Sequence, residues 1–241
     1  MSLKKLVKRI FYKLPIRLRC LIETLHSAER LTIGHGSYIH ASAHILGKGS
    51  IFVGLNTCVS EGSWLNVNHR QKGEFAIKIG NNCFIGKQNF ITSGKSIIIG
   101  DYTLTTIGCK FIGSSHNFDN PEVPYLTTGT TSINKIKIGV NCFLGAGVTV
   151  LGDVKVGHGS VIGSHSLVLQ DIPPFSLVIG NPANVVKRYS FKQKKWVKAS
   201  ELSADDEAEM PTEQSYLLQL KSTCPQVNMP WIAAGKSMGD L

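Results

Sequence analysis

Branched aliphatic residues recur at every sixth place through the middle of the chain. Ile33, Ile39, Ile45 and Ile51 open the series, and after a two-residue shift it resumes at Val53, Val59 and Leu65. It returns at Ile79, Ile85 and Ile91, shifts to Ile99, and from Ile138 runs on through Leu144, Val150, Val156, Ile162 and Val168. Glycine often follows the aliphatic residue, as at Gly34, Gly80, Gly100, Gly139 and Gly157. Four places after it stands something small, such as Ser37, Thr57, Cys83, Thr103, Cys142 or Ser160. A period of six fits neither the 3.6-residue repeat of a helix nor an ordinary run of hairpin strands; it suits short strands separated by tight corners. Three such units bring the chain back over itself, so Ile138 and Val156 are expected to stack in adjacent coils. The aliphatic residues fill the interior, the small ones fit where the wall bends, and each coil hides its apolar face only against its neighbours.

Outside this region the pattern changes. Leu3, Leu6, Val7, Ile10, Phe11 and Leu14 form one helical stripe, with lysines and an arginine opposite, and Pro15 ends the run. Residues 1–30 therefore read as a basic amphipathic helical cap, residues 31–188 as the repeat domain and residues 189–241 as a tail with a short helix and irregular chain folded back on the body or a neighbour. Two stretches break the period: 66–76, with Asn66, Asn68, His69 and Arg70, and 117–135, with Asn117, Asp119, Asn120, Pro121, Glu122, Pro124 and Tyr125. Loops thrown out of a rigid scaffold are where function concentrates.

The net charge of +10 is gathered at the flanks, in Lys4, Lys5, Lys8, Arg9, Lys13, Arg17 and Arg19 and again in Lys187, Arg188, Lys192, Lys194, Lys195 and Lys198. This balance suits an anionic partner, and the amphipathic face of residues 1–20 suits peripheral docking on an anionic membrane as well as closure of the solenoid end. No nucleic-acid-reading motif accompanies the charge, and nucleic acid is not an expected partner. Six cysteines without C-x-x-C spacing argue against a disulfide framework and a zinc ribbon, and they point to a reducing, cytoplasmic setting. No apolar stretch approaches the roughly 20 residues of a membrane span.

Histidine is the side chain suited to acid–base work near neutral pH, and the chain has eight. His116 ends the coil Ile112-Gly113-Ser114-Ser115-His116-Asn117 and opens the longer excursion, so its ring is expected beside a loop that can wall off a pocket. His35, His40, His44, His158 and His165 occupy outward repeat positions and read as solvated surface residues, while His69, in the other excursion, is the reserve candidate.

The three-position pattern over about residues 31–188 resembles the hexapeptide-repeat acyltransferases, and this resemblance implies an all-β, left-handed parallel β-helix. Within that group, Ser115-His116-Asn117-Phe118-Asp119-Asn120-Pro121 is similar to the catalytic segment of bacterial sugar and polysaccharide O-acetyltransferases. The likeness implies His116 as general base, with Asp119, Glu122 or a backbone carbonyl orienting its ring and Asn117 beside it. The terminal segment from Asp171 to Ala183 is similar to the end of that family's helix, where acetyl-coenzyme A lies in the groove between subunits of a homotrimer. The family's contact positions for the cofactor fall here on Gly145, Ala146, Ser164 and Leu169, with a backbone N–H of the Gly145-Ala146-Gly147 corner as oxyanion donor. Where the family has Thr-Lys, this chain has Leu169-Gln170, so Lys187 and Arg188 are the substitute phosphate contacts. Asn89, in Gly86-Lys87-Gln88-Asn89, stands where relatives acting on simple galactosides carry an asparagine-rich acceptor segment. The implied activity is acetyl-CoA-dependent O-acetylation of a sugar in cell-surface polysaccharide assembly, with no metal. The alternatives are N-acetylation of a nucleotide-linked amino sugar, a zinc hydratase of the same fold and a non-catalytic scaffold.

Overall fold

The computed structural model describes residues 30–71, 73–225 and 227, so the amphipathic helix expected near the N-terminus lies outside the described residues. Strands of two to four residues alternate with corners, and every third strand joins the same sheet. The first sheet runs from Thr32–Ile33 to Val154–Val156 and the third from His44–Leu46 to Leu167–Val168, each of six parallel strands. The second begins at Tyr38–Ile39 and is extended beyond the coils by Ser176–Gly180 and two antiparallel strands.

The expected stacking is present. Ile79 pairs with Ile99, Ile99 with Ile138 and Ile138 with Val156, all essentially without solvent exposure. Burial of each such side chain contributes about 1.5–3 kcal/mol, which drives adjacent coils together. The gap in the aliphatic series between Ile99 and Ile138 is filled by Thr105 and Phe111, both completely buried. Thr105 is tolerated inside because its Oγ1 accepts the Gly86 N–H at 3.1 Å.

At one corner the small residues form a ladder. Thr57 Oγ1 donates to the Gly80 carbonyl at 2.8 Å, Thr103 Oγ1 to Gly139 at 3.0 Å and Ser160 Oγ to Pro173 at 3.1 Å. Cys83 and Cys142 take the same place with thiols directed at the Gly100 and Gly157 carbonyls. Each polar side chain thus satisfies a carbonyl of the next coil at the bend, where strand pairing leaves acceptors over.

The boundary expected at residue 188 falls inside a strand. Ala183–Ser190 pairs antiparallel with Ser176–Gly180 and then with Lys195–Lys198, held by contacts of Tyr189 with Phe191 and Trp196. Beyond it a short helix, Ala204–Ala208, carries a capping box from Ser203 and Asp206, and Asp206 also accepts from Ser190 Oγ. The helix Glu213–Thr223 then lies along a corner of the solenoid. There Tyr216 bonds Asn141, Tyr102 donates to the Cys224 carbonyl at 2.9 Å, and Asn56 Nδ2 donates to Val227 O at 2.6 Å. Burial alone would raise the Glu213 carboxyl, but Lys137 Nζ at 2.6 Å and the Val140 N–H hold it below its usual range. No described helix is long and apolar enough to cross a membrane.

Cys58, Cys83, Cys109 and Cys142 are buried, and burial pushes the Cys83 and Cys142 thiols up to about 12 from an ordinary 9.0. A raised value favours the neutral thiol in the folded state. That stabilisation is complete below pH 9 and is lost as pH rises toward 12. At pH 8 a thiol-reactive dye should leave these four unmodified in the native protein and label all six cysteines after denaturation. Native-state labelling of any of the four, read by mass spectrometry, would contradict this packing.

Candidate active site

His116 stands at the foot of the longer excursion, which leaves the coil after Lys110–Ile112 and rejoins it at Lys135–Ile138. The two limbs of this loop are laced together. Thr131 N–H donates to the Ser115 carbonyl at 2.7 Å, Asn117 N–H to Gly129 at 3.1 Å, and His116 faces Thr130 as an antiparallel bridge. Opposed residues in such a bridge project to one face, so the exposed His116 shares a face with the Thr130 side chain. Thr130 Oγ1 lies 3.0 Å from His69 Nε2, which belongs to the first excursion. The two loops that break the repeat therefore meet at Thr130, whose hydroxyl lies against His69 and whose backbone pairs with His116; Thr130 carries no signal in the sequence that would have marked it.

Asn117 is committed to the loop, its Nδ2 donating to the Thr128 carbonyl at 2.9 Å. Asp119 and Glu122 are exposed, and among the described residues no hydrogen bond joins either to His116. The backbone bridge fixes the His116 main chain opposite Thr130.

The proposed donor-side positions form two columns. Gly145 and Ala146 stack under Gly163 and Ser164 at the corner leading into the third sheet, with His165 N–H bonded to the Ala146 carbonyl at 2.7 Å. The Gly145 N–H is taken by Ile162 O at 2.8 Å and the Gly147 N–H by Ile107 O at 2.9 Å. Among the described residues the Ala146 N–H has no acceptor, which makes it the available donor of that corner. Leu169, about half exposed, lies instead beyond the far end of the same sheet, in the column of Leu151 and Ile112 that leads to His116. From Ala146 to Leu151 the extended chain covers roughly 15 Å. A single copy does not bring the Ala146 corner to His116.

The bacterial transferase hexapeptide family, a motif of six repeats, matches residues 135–170. In its repeat and its fold the chain is similar to the hexapeptide-repeat transferases. It is 29% identical over 182 residues to the probable acetyltransferase Rv3034c of Mycobacterium tuberculosis (strain ATCC 25618 / H37Rv), a match covering 70% of this chain and 58% of that protein. Among solved structures it resembles the N-acyltransferase AntD of Bacillus cereus in complex with dTDP and 3-hydroxybutyryl-CoA. The TM-score is 0.57 at 18% identity, covering 83% of this chain and 96% of that one. An AntD variant bound to dTDP-4-amino-4,6-dideoxyglucose and coenzyme A gives a TM-score of 0.56 at 18% identity, over 82% and 96% of the two chains. These likenesses identify the solenoid as the left-handed parallel β-helix of hexapeptide-repeat proteins.

Within this hexapeptide-repeat solenoid three expected contacts are redirected. Asn89 is fully buried, its Nδ2 donating to the Thr106 carbonyl at 2.7 Å and to Gly86 at 2.9 Å, so it closes a corner and does not meet an acceptor. His158 is not a solvated surface residue: it is 7% exposed, packs edge-on against Phe175 and lies 2.9 Å from the Pro211 carbonyl, because the C-terminal segment covers it. Arg188 points inward, with Nε on the Pro174 carbonyl at 3.2 Å, Nη1 on Glu207 at 3.1 Å and Nη2 on Met210 Sδ at 3.3 Å. Its neighbour Lys187 alternates to the exposed face. No three of His, Cys, Asp and Glu converge as a metal site among the described residues.

Arg188→Gln is expected to destabilise by about 1–3 kcal/mol, because it strands a buried carbonyl and the Glu207 contact. It should leave coenzyme A affinity within about twofold. Urea titration with a coenzyme A binding isotherm checks both; a loss of affinity without a loss of stability would restore Arg188 as a phosphate ligand.

Proposed function

We propose that the chain transfers an acetyl group from acetyl-CoA to a sugar hydroxyl, in the assembly of a cell-surface polysaccharide, with His116 as general base. The observation that carries this reading is the placement of His116 on a laced rim. Its ring is exposed, its backbone is fixed opposite Thr130, and it stands where two excursions meet. A base held this way can take the hydroxyl proton as the oxygen adds to the thioester carbonyl. The same imidazolium then protonates the departing thiolate as the tetrahedral intermediate collapses to ester. The Ala146 N–H, with Gly145 behind it, suits a carbonyl oxygen on the donor side, and Ser164 and Leu169 line the two columns along which coenzyme A would extend. Lys187 is the exposed cation available to its phosphates. A covalent relay through cysteine has no support, since Cys83 and Cys142 face inward with thiols held neutral.

The separation of the Ala146 corner from His116 favours a homotrimer, in which one subunit supplies the base and the adjoining one the donor corner. The outer row of the second sheet fits such packing: Tyr38, Cys58, Phe84, Leu104, Phe143 and Val161 stack along it, and Leu104 and Phe143 are more than a third exposed. AntD acylates nitrogen, but at 18% identity it supports the scaffold and not the acceptor atom.

His116→Ala should lower kcat for acetyl transfer by about 10²–10⁴-fold while leaving acetyl-CoA binding intact. Assay over a panel of hydroxyl and amine sugars also separates O- from N-transfer. Full activity of the variant would end the assignment, and transfer to amines alone would replace the acceptor class.

A further inference from the structure

We propose that the cavity between the two excursions is a phosphoryl-binding subsite, so that the sugar presented to His116 carries a phosphate or diphosphate. This deepens the transferase reading and rests on it. The cavity holds about 380 Å³ and is lined by Asn68, His69, Arg70, Glu74, Lys95 and Ser132 among others, so both interruptions of the repeat contribute. It adjoins the candidate base through His69, whose ring bonds Thr130 opposite His116.

Its charge is unbalanced. Among the described residues neither Arg70 nor Lys95 forms an ion pair, although Glu74 lines the same cavity. Two cations facing one concavity raise its potential, which an anion relieves. A guanidinium fork beside an ammonium point charge matches the several oxygens of a diphosphate better than the two of a carboxylate.

One cation packs on a neighbouring glycine and the other sits on anchored backbone. Arg70 lies across Gly47, where an added Cβ would stand 2.8 Å from its Nε. Lys95 N–H is bonded to the Asn134 carbonyl at 2.8 Å, at the end of the second excursion. Asn68 Nδ2 is bonded to Thr92 Oγ1 at 3.3 Å. The wall at Gly94 is bare backbone, because a Cβ there would stand 2.1 Å from the Gly113 carbonyl oxygen. A side chain at this position would disrupt the wall of the cavity.

Isothermal titration of the full chain with inorganic pyrophosphate at physiological salt should give saturable binding. The double variant Arg70→Gln, Lys95→Gln should weaken it about tenfold or more, and Glu74→Gln should strengthen it. Coenzyme A affinity should stay within about twofold in every variant, which also shows that each is folded. In transfer assays the double variant should lose about tenfold of the preference for a sugar 1-phosphate over the free sugar. Equal pyrophosphate affinity in wild type and double variant, a loss that falls on coenzyme A instead, or equal preference for a hexuronic acid would overturn the proposal. The titration needs no turnover. Retained pyrophosphate binding in a protein that transfers to nothing would therefore sink the transferase reading while leaving the subsite standing.

Discussion

The close approach of backbone to backbone at one corner is the constraint on which the solenoid depends. A Cβ added at Gly100 would stand 2.6 Å from the Gly139 carbonyl carbon, and one added at Gly139 would stand 2.5 Å from the His158 nitrogen. The coils can thus meet at strand-pairing distance around the bend as well as along the walls. The hydroxyl and thiol ladder of Thr57, Cys83, Thr103, Cys142 and Ser160 works at the same corner, supplying donors to carbonyls that parallel pairing cannot reach. A larger residue in either column would open the stack, and the registers of all three sheets follow from this spacing. The excursions leave after the third sheet, at a different corner, so they can be long without disturbing the stack.

The fold was legible because it is written in inward residues whose type is dictated by volume. Ile79, Ile99, Ile138 and Val156 fill the same column, and the period of six simply counts them. Legibility failed where polarity and position parted. Thr105 and Phe111 hold inward places that an aliphatic count passes over, Thr105 because a hydrogen bond to Gly86 offsets its burial. His158 occupies an outward repeat position and is buried all the same, because the C-terminal segment lies over it. That segment docks through Tyr216 and Glu213 onto Asn141 and Lys137, and through the Val227 N–H and carbonyl onto Asn82 and Asn56. Polar contacts between distant stretches leave no periodic trace in either one.

The candidate site was legible in a similar, partial way. His116 could be found because it ends a coil, and an interrupted repeat is visible from either side of the break. Its partners could not: Thr130 is one threonine in a run of polar residues, and only the folded loop sets it opposite His116 and within reach of His69. Lys187 and Arg188 are adjacent cations in the sequence, yet strand alternation sends one to solvent and the other to Glu207 and Pro174. Asn89 departs from its expected role for the converse reason, since an amide whose two N–H groups are shared among three corner carbonyls is chemically indistinguishable, in sequence, from one that waits for a sugar.

On the proposed reading the two halves of the chemistry draw on different parts of the chain. The donor side uses the coil itself: the Ala146 N–H is a backbone group whose position is set by stacking, and almost any small residue at that place would present it. The acceptor side uses the excursions, where Arg70, His69, Thr130 and His116 are individual side chains held by contacts between loops. Recognition of a thioester common to many transferases needs only the former, because every donor of that class carries the same carbonyl and phosphates. Choice among sugars needs the latter, because acceptors differ in the polar and charged groups that side chains read. Since the loops spring from a corner that the glycine stack does not use, they can lengthen or change charge at little cost to the scaffold. The same solenoid can then serve acceptors as different as a free sugar and a phosphorylated one.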